Sequence, residues 1–218
     1  MPPARPRPDA RPRAPRALAT LVAAALLLAP AAGPLAAQVA APAPTAPAAA
    51  PAARAQATTT IILVRHAEKA AIPSDDPPLS PAGEARSLAL LDALREAGVQ
   101  AVVTTQLQRT RLTAAPLARE LGLTPEVVPV SGSAATHARQ VADYVLARHA
   151  GQTVLVVGHS NTIPEIVAAL GAGLADPIDD DTYDDLYVVT RPADGAARRL
   201  HVRYGSAATV PAAGPMRP

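Results

Sequence analysis

TTTIILVRHAEKA, residues 58–70, joins an apolar strand pattern to an abruptly charged end. Its first seven residues, 58–64, are β-branched or apolar without alternation, which predicts a strand that is covered on both faces. Arg65, His66, Glu68 and Lys69 then follow within five residues. Such an ending predicts either a strand that simply reaches solvent or a site that binds a charged ligand.

Similar apolar runs recur along the rest of the chain. The predicted strands are residues 58–64, 101–105, 126–130, 152–158 and 185–190, with an alternating sixth run, 200–204, that fits a sheet edge. Helical patterns fall between them, over residues 80–97, 109–121, 134–149 and 162–170. Alternating strands and helices predict an α/β fold with a mostly parallel central sheet and helices on both faces.

The first predicted helix has a recognisable start and an apolar stripe. Ser80 is a plausible N-cap that precedes a proline at the first helical position. Leu88, Leu91 and Leu94 fall at helical spacing, with Leu90 flanking them. These leucines predict the face that the helix buries.

The first 57 residues do not have the composition of a folded domain. Residues 1–37 combine an arginine-rich start, an uncharged apolar run over 17–29 and small residues, which predicts a secretory signal peptide. We expect cleavage near Ala37, with an uncleaved anchor as the alternative. The protein is therefore expected to be periplasmic or secreted, with no membrane span after signal removal.

Residues 38–57 are almost entirely alanine and proline, which predicts a disordered, semi-rigid tether. The folded domain is expected to occupy residues 58–218, with a poorly ordered tail from about 205. The chain contains no cysteine, which excludes disulfides and thiolate metal sites.

The charge of the domain differs in sign from that of the whole chain. The chain has 20 basic and 18 acidic residues, or +2, but six arginines and one aspartate precede Thr58. The remainder has 14 basic and 17 acidic residues, or −3. The basic balance therefore belongs to the export segment, and we expect no nucleic-acid partner.

Ionisable and polar side chains follow three of the predicted strands. Arg65 and His66 follow the first, Arg109 follows the second, and His159 and Asn161 follow the fourth. Because the carboxyl ends of parallel strands share one edge of a sheet, these groups should lie together. Cationic and imidazole groups around helix N-termini predict a site for a phosphate-like anion.

At these residues the chain resembles the histidine phosphatase superfamily, the group that includes phosphoglycerate mutases. The matching motifs are Arg65-His66-Ala67-Glu68, Leu107-x-Arg109-Thr110-x-x-Thr113-Ala114, Gly158-His159-Ser160-Asn161 and the segment PPLSPAGEAR at 77–86. The resemblance covers residues 58 to about 190. It implies a three-layer, phosphoglycerate mutase-like fold.

The resemblance also implies a mechanism and a set of roles. His66 would be the nucleophile that forms a phosphohistidine, and Arg65, Arg109 and His159 would hold the phosphoryl oxygens. No metal or other cofactor is implied, and the expected partner is a small phosphorylated substrate or an exposed phosphoryl group. No oligomeric state is assigned.

The proton donor to the leaving group is the least defined part of the predicted catalytic site. Many members of the family carry a glutamate after the third strand, where this chain has PVSGSAATHARQ at 129–140, with His137 and no carboxylate. His137 is therefore a candidate substrate-binding residue, and Glu68 and Glu165 are candidates for an acid or a supporting role. Asp75 and Asp76 are further candidate acids. This departure favours hydrolysis over mutase activity.

Several of these residues have a second interpretation. Asn161 could contact substrate or cap the following helix. Arg109 and Arg111 are two residues apart on a helix, so only one can enter the site, and the family motif selects Arg109. Tyr183, in an acidic stretch, could line the rim of the site.

Two other functions compete with a phosphatase. The same fold could bind a phosphorylated ligand without catalysis. A serine hydrolase is the weaker alternative, because GHSNT at 158–162 only half-matches the G-x-S-x-G elbow, although Ser160, Asp184 and His201 follow the expected order.

Overall fold

A computed structural model describes residues 58–72 and 74–206. The predicted signal peptide (1–37) and tether (38–57) lie outside these residues. Within them are six strands and four helices, which are β1 (Thr59–Arg65), α1 (Pro81–Leu94), β2 (Ala101–Thr104), α2 (Gln108–Glu120), β3 (Glu126–Val127), α3 (Ala134–Arg148), β4 (Thr153–Gly158), α4 (Ile163–Ala169), β5 (Asp185–Arg191) and β6 (Arg198–Arg203). None of the four described helices has the length and apolar character that crossing a bilayer requires.

The strands form one sheet in the order β3-β2-β4-β1-β5-β6. The pairs among β3, β2, β4 and β1 are parallel, whereas β5 pairs antiparallel with β1 and β6 antiparallel with β5. The predicted α/β fold with a mostly parallel sheet is confirmed.

Strand β1 supplies both hydrophobic cores because successive side chains of a strand point to opposite faces. Ile61 and Leu63 pack in a cluster that contains buried residues of α3 and α4. Ile62 and Val64 pack in a second cluster, with buried residues of α1 and α2. Two helices therefore cover each face, which is why the strand sequence of β1 is apolar without alternation.

The buried face of α1 differs from the predicted leucine stripe. Leu88 is 55% exposed, whereas Leu90 and Leu94 are buried. The rotation of the helix is set by Gly83, where an added Cβ would lie 2.2 Å from the backbone oxygen of Glu68. Only glycine permits this approach, so the face of α1 that contains Gly83 packs against the segment that follows β1. In this orientation the side chain of Leu88 points to solvent.

Other boundaries move by a few residues. Ser80 is the N-cap of α1, as predicted, and its hydroxyl accepts a hydrogen bond from the Gly83 N–H at 3.1 Å. Strand β3 is shorter than the predicted 126–130. The Val128 N–H still donates to the Thr104 carbonyl at 2.9 Å, but Pro129 has no N–H to continue the ladder.

Candidate active site

The parallel pairing of β1 with β4 brings two histidines together. Arg65 lies opposite Gly158, and the His66 N–H donates to the Gly158 carbonyl at 2.9 Å. His66 and His159 therefore leave adjacent strands at the same edge of the sheet. Their ring centroids are 5.3 Å apart in an edge-on arrangement.

Thr113 ties the turn after β1 to the first turn of α2. Its hydroxyl accepts a hydrogen bond from the Ala67 N–H at 2.9 Å and donates one to the Arg109 carbonyl at 2.7 Å. Thr113 and Ala67 are both fully buried. One side chain therefore holds the backbone next to His66 in a defined position relative to Arg109.

The His66 ring is arranged as a neutral nucleophile. Its Nδ1 lies 2.8 Å from the Ala67 carbonyl, which can only accept, so Nδ1 carries the proton and Nε2 carries the lone pair. Burial lowers the pKa of the imidazole from 6.5 to about 4; the bond to Ala67 opposes this shift, and Arg65 and Arg109 add to it. At neutral pH the Nε2 lone pair is available to attack an electrophile.

Arg65 and Arg109 contribute cationic donors that have no partner in the described part of the chain. The Arg65 Nη1 donates to the carbonyls of Asp179 at 2.7 Å and Thr182 at 2.9 Å, and its guanidinium lies 4.1 Å from the centre of the Tyr183 ring. Its Nε is buried without a hydrogen bond, as is the Nε of Arg109. Because unpaired buried donors are costly, two of them on cationic groups indicate an anion-binding site.

Asp76 is the candidate acid that lies beside these cations. Its Oδ1 is 3.7 Å from the Arg109 Nη1, and its two carboxylate oxygens accept the Gln108 N–H at 2.9 and 3.1 Å. Burial lowers the pKa of the Arg109 guanidinium, and the carboxylate of Asp76 opposes that shift. Asp75 is exposed, and Arg111 is exposed on α2.

His159 is neutral in the free protein, not cationic. Burial, and then the nearby His66, lower its pKa to about 3. Its Nε2 lies 3.3 Å from the Thr105 hydroxyl, which in turn lies 2.9 Å from the Thr110 hydroxyl. His159 can therefore serve as a neutral hydrogen-bonding group, and an arriving phosphate would favour its protonation.

Two candidates, His137 and Glu68, are set back from the surface or paired within the protein. His137 is 1% exposed, lines a closed cavity of about 10 Å³ with Thr105, and has a pKa that burial lowers. It therefore lies behind the site and is not exposed to solvent, whereas the sequence predicted that it binds substrate. Glu68 is held by Arg86, whose Nε reaches both carboxylate oxygens at 2.9 and 3.0 Å and whose Nη2 adds a bond of 2.8 Å. Glu68 thus has a structural role and is not placed as an acid.

Asn161 and Glu165 lie together beside the site, on the wall of a cavity of about 330 Å³. Asn161 is not the helix cap, because Thr162 occupies the N-cap position of α4. The Thr162 hydroxyl instead accepts a hydrogen bond from the His159 N–H at 3.0 Å. Asn161 is exposed, so it remains available to a ligand.

A serine hydrolase triad is not assembled. The His201 Nε2 bonds to Asp185 at 2.7 Å, and its ring stacks on Tyr187. The Asp184 carboxylate accepts from Arg203 at 2.6 Å. Asp184 is therefore paired with an arginine, and it does not orient the histidine that the triad would require.

Comparison with known proteins shows which family the chain is similar to. The sequence model of the histidine phosphatase superfamily (branch 1) matches residues 61–130, which contain the first two motifs. Over these residues the chain is similar to the histidine phosphatase superfamily. A comparison with curated proteins found no match.

Solved structures of several phosphatases share the fold. The putative phosphohistidine phosphatase SixA from Nakamurella multipartitia is 25% identical, with 68% of this chain and 98% of that chain covered and a TM-score of 0.51. The protein histidine phosphatase SixA in complex with tungstate is 20% identical, with 66% and 96% covered and a TM-score of 0.53. Mycobacterial glucosyl-3-phosphoglycerate phosphatase with inorganic phosphate is 15% identical, with 70% and 99% covered and a TM-score of 0.52.

Sequence reasoning did not assign roles to the residues that support the site. Thr113 and Arg86 were visible only as parts of motifs, and Thr105 carried no signal of its own. Tyr183 lies over Arg65, and its ring centroid is 6.2 Å from that of His66, so it does line the site. In the described part of the chain, no cluster of three or more histidine or acidic side chains could hold a metal ion.

Proposed function

We propose that this protein is a phosphatase that hydrolyses phosphomonoesters or other phosphoryl groups through a phosphohistidine on His66, without a metal ion. The observation that carries the proposal is the neutral His66 ring, with its Nδ1 proton held by Ala67, beside the buried Arg65 and the partly buried Arg109. Each of these arginines has a buried Nε without a hydrogen-bond partner among the described residues. The names of the similar solved structures support it, since they are phosphatases, one with inorganic phosphate and one with tungstate.

In the proposed first step, the His66 Nε2 attacks phosphorus in line with the leaving oxygen. An N–P bond forms, the P–O bond to the leaving group breaks, and the departing oxygen takes up a proton. Arg65 and Arg109 donate hydrogen bonds to the non-bridging oxygens and stabilise their charge in the transition state. A water molecule then attacks the phosphohistidine, which releases inorganic phosphate and restores the neutral ring.

Asp76 is the proposed source of the leaving-group proton, because it is the candidate carboxylate that lies against Arg109. A general acid contributes about 10²–10⁴-fold and matters most for poor leaving groups. Asp76→Asn should therefore slow hydrolysis of an alkyl phosphate far more than that of an aryl phosphate. Equal losses on the two esters would instead assign Asp76 to the positioning of Arg109.

The test of the proposed function is turnover of labelled p-nitrophenyl phosphate by the purified full chain in the presence of a chelator, with an alkaline denaturing quench that preserves phosphohistidine on the protein. The wild type should turn over and carry acid-labile phosphate, and His66→Gln should lose both. His201→Gln is the matched control, because His201 is bonded to Asp185 outside the site and should retain both.

Two outcomes would replace the proposal. Phosphate binding without turnover would identify a non-catalytic phosphate-binding module of the same fold. Loss of activity in Ser160→Ala, together with an active His66→Ala variant, would identify a serine hydrolase.

The proposed place of action is the periplasm or the exterior of the cell, with envelope or scavenged phosphates as substrates. This part rests on the sequence of residues 1–37 alone. Cell fractionation should place the full chain outside the cytosol and a variant without residues 1–37 inside it. Full-length protein in the cytosolic fraction would contradict export.

A further inference from the structure

We infer that the cavity beside the phosphate site binds the leaving group of the substrate. We also infer that it selects phosphomonoesters whose leaving group is a short hydrocarbon chain with an ammonium group. This inference rests on the proposed phosphatase function and names its substrate class.

The cavity has a volume of about 330 Å³. Its lining residues come from two segments and are Ser160, Asn161, Pro164, Glu165, Leu174, Ala175, Pro177 and Ile178. Both segments are continuous with the catalytic site. Ser160 directly follows His159, and Ile178 directly precedes Asp179, whose carbonyl accepts from Arg65 at 2.7 Å. A group that leaves a phosphoryl centre held by Arg65 and His159 therefore has this cavity next to it.

The walls of the cavity are mostly apolar and favour a leaving group with a hydrocarbon chain. Five of the eight lining residues are proline, leucine, alanine or isoleucine. Leu174 is 66% exposed at this surface, so its side chain is accessible to a ligand. A leaving group with a short hydrocarbon chain would cover this surface.

Glu165 is the charged group among the lining residues, which include no lysine or arginine. Within the described residues, its carboxylate takes part in no ion pair. A partly buried carboxylate in an apolar wall prefers a cationic partner, and an ammonium supplies both the charge and hydrogen-bond donors.

The segment that forms the outer wall adds further negative charge. Asp176 lies between two lining residues, and Asp179, Asp180 and Asp181 follow directly; all four are exposed. Two basic side chains lie near this segment: the Arg199 Nη1 is bonded to the Leu174 carbonyl at 2.8 Å, and the Arg65 Nη2, which faces the phosphate site, is 3.8 Å from the Asp180 carboxylate. A leaving group that bears a carboxylate or a second phosphate would meet repulsion here, whereas an ammonium would be attracted.

The experiment compares kcat/KM for three series of phosphate monoesters of matched chain length, with ω-amino, unsubstituted and ω-carboxy alkyl groups. The wild-type full chain should prefer the amino esters. Glu165→Gln should lower kcat/KM for the amino ester of best-fitting length by about two- to fivefold, the range of a partly exposed ion pair, and should leave the unsubstituted esters unchanged. Glu165→Lys should reverse the preference in favour of the carboxy esters.

Glu84→Gln is the matched control variant. Glu84 also lies in the first turn of a helix, α1, and it lines a different cavity, of about 280 Å³ between α1 and α2. This variant removes the same charge from a similar local position and should leave all three ester series unchanged.

Equal kcat/KM for amino and unsubstituted esters in the wild type would overturn the inference. So would an equal loss on both series in Glu165→Gln, which would assign Glu165 to proton donation or to structure. These failures are distinguishable from failure of the proposed function, because p-nitrophenyl phosphate would still be hydrolysed. Absence of turnover with that ester as well would remove both proposals.

Discussion

The hydroxyl of Thr113 should be necessary for catalysis although it does not contact the phosphoryl group. It accepts the Ala67 N–H at 2.9 Å and donates to the Arg109 carbonyl at 2.7 Å, so it joins the nucleophile segment to a phosphate-binding helix. Thr113→Val keeps the shape of the side chain and replaces the hydroxyl with a methyl group. The variant therefore removes this link without creating a large cavity.

The expected magnitude follows from the burial of Ala67, which is fully buried. A buried N–H that loses its acceptor costs about 1–3 kcal/mol, so the free energy of unfolding should fall by about 2 kcal/mol. The backbone beside His66 would also lose its fixed position. Since a misplacement of about 1 Å can cost a hundredfold in rate, we expect kcat to fall by at least about tenfold.

Urea denaturation and p-nitrophenyl phosphate kinetics on the full chain would measure the two effects. Thr113→Ser is the matched control, because it retains the hydroxyl and loses only a buried methyl group. It should lose about 1 kcal/mol of stability and keep most of the wild-type kcat. A Val variant with wild-type kcat, or Ser and Val variants with the same kcat, would refute the proposed link.

Three further predictions concern His66, Tyr183 and Arg86. Because burial lowers the pKa of His66 to about 4, the ring keeps its lone pair above that pH. Protonation of the nucleophile should therefore lower kcat/KM for p-nitrophenyl phosphate, which needs little general acid, below about pH 4 in a pH–rate profile. The same shift should make the free energy of unfolding decline as pH falls from about 6.5 towards 4, because the unfolded chain takes up the proton first. Urea titrations at each pH should show a smaller decline in the free energy of unfolding for His66→Gln than for the wild type. Tyr183→Leu removes the ring over Arg65 and should raise the inhibition constant of inorganic phosphate about two- to fivefold, whereas an unchanged constant would contradict that contact. Arg86→Met leaves the Glu68 carboxylate without its partner and should cost about 3 kcal/mol in urea denaturation with little change in KM, so a stable variant would refute the structural role of the pair.

The sequence by itself predicted the fold and the main residues of the site. A continuous apolar strand needs cover on both faces, so β1 implied a sheet between two helical layers, and the structure has this arrangement. Parallel strands end at one edge, so the positions of Arg65, His66, Arg109 and His159 after the first, second and fourth predicted strands predicted that they share one edge of the sheet. These conclusions depend on strand direction and chain order, which a local pattern can reveal.

The tertiary structure decided which polar groups pair with one another. Glu68 was open between an acid and a supporting role, and it is held by Arg86, 18 residues further along. That pairing depends on the rotation of α1, which the close approach of Gly83 to the Glu68 backbone sets. His137 likewise faces a closed cavity behind the site because α3 packs against that face of the sheet. Contacts between residues far apart in the chain depend on how helices rotate and pack, and one sequence does not encode that rotation in any local pattern.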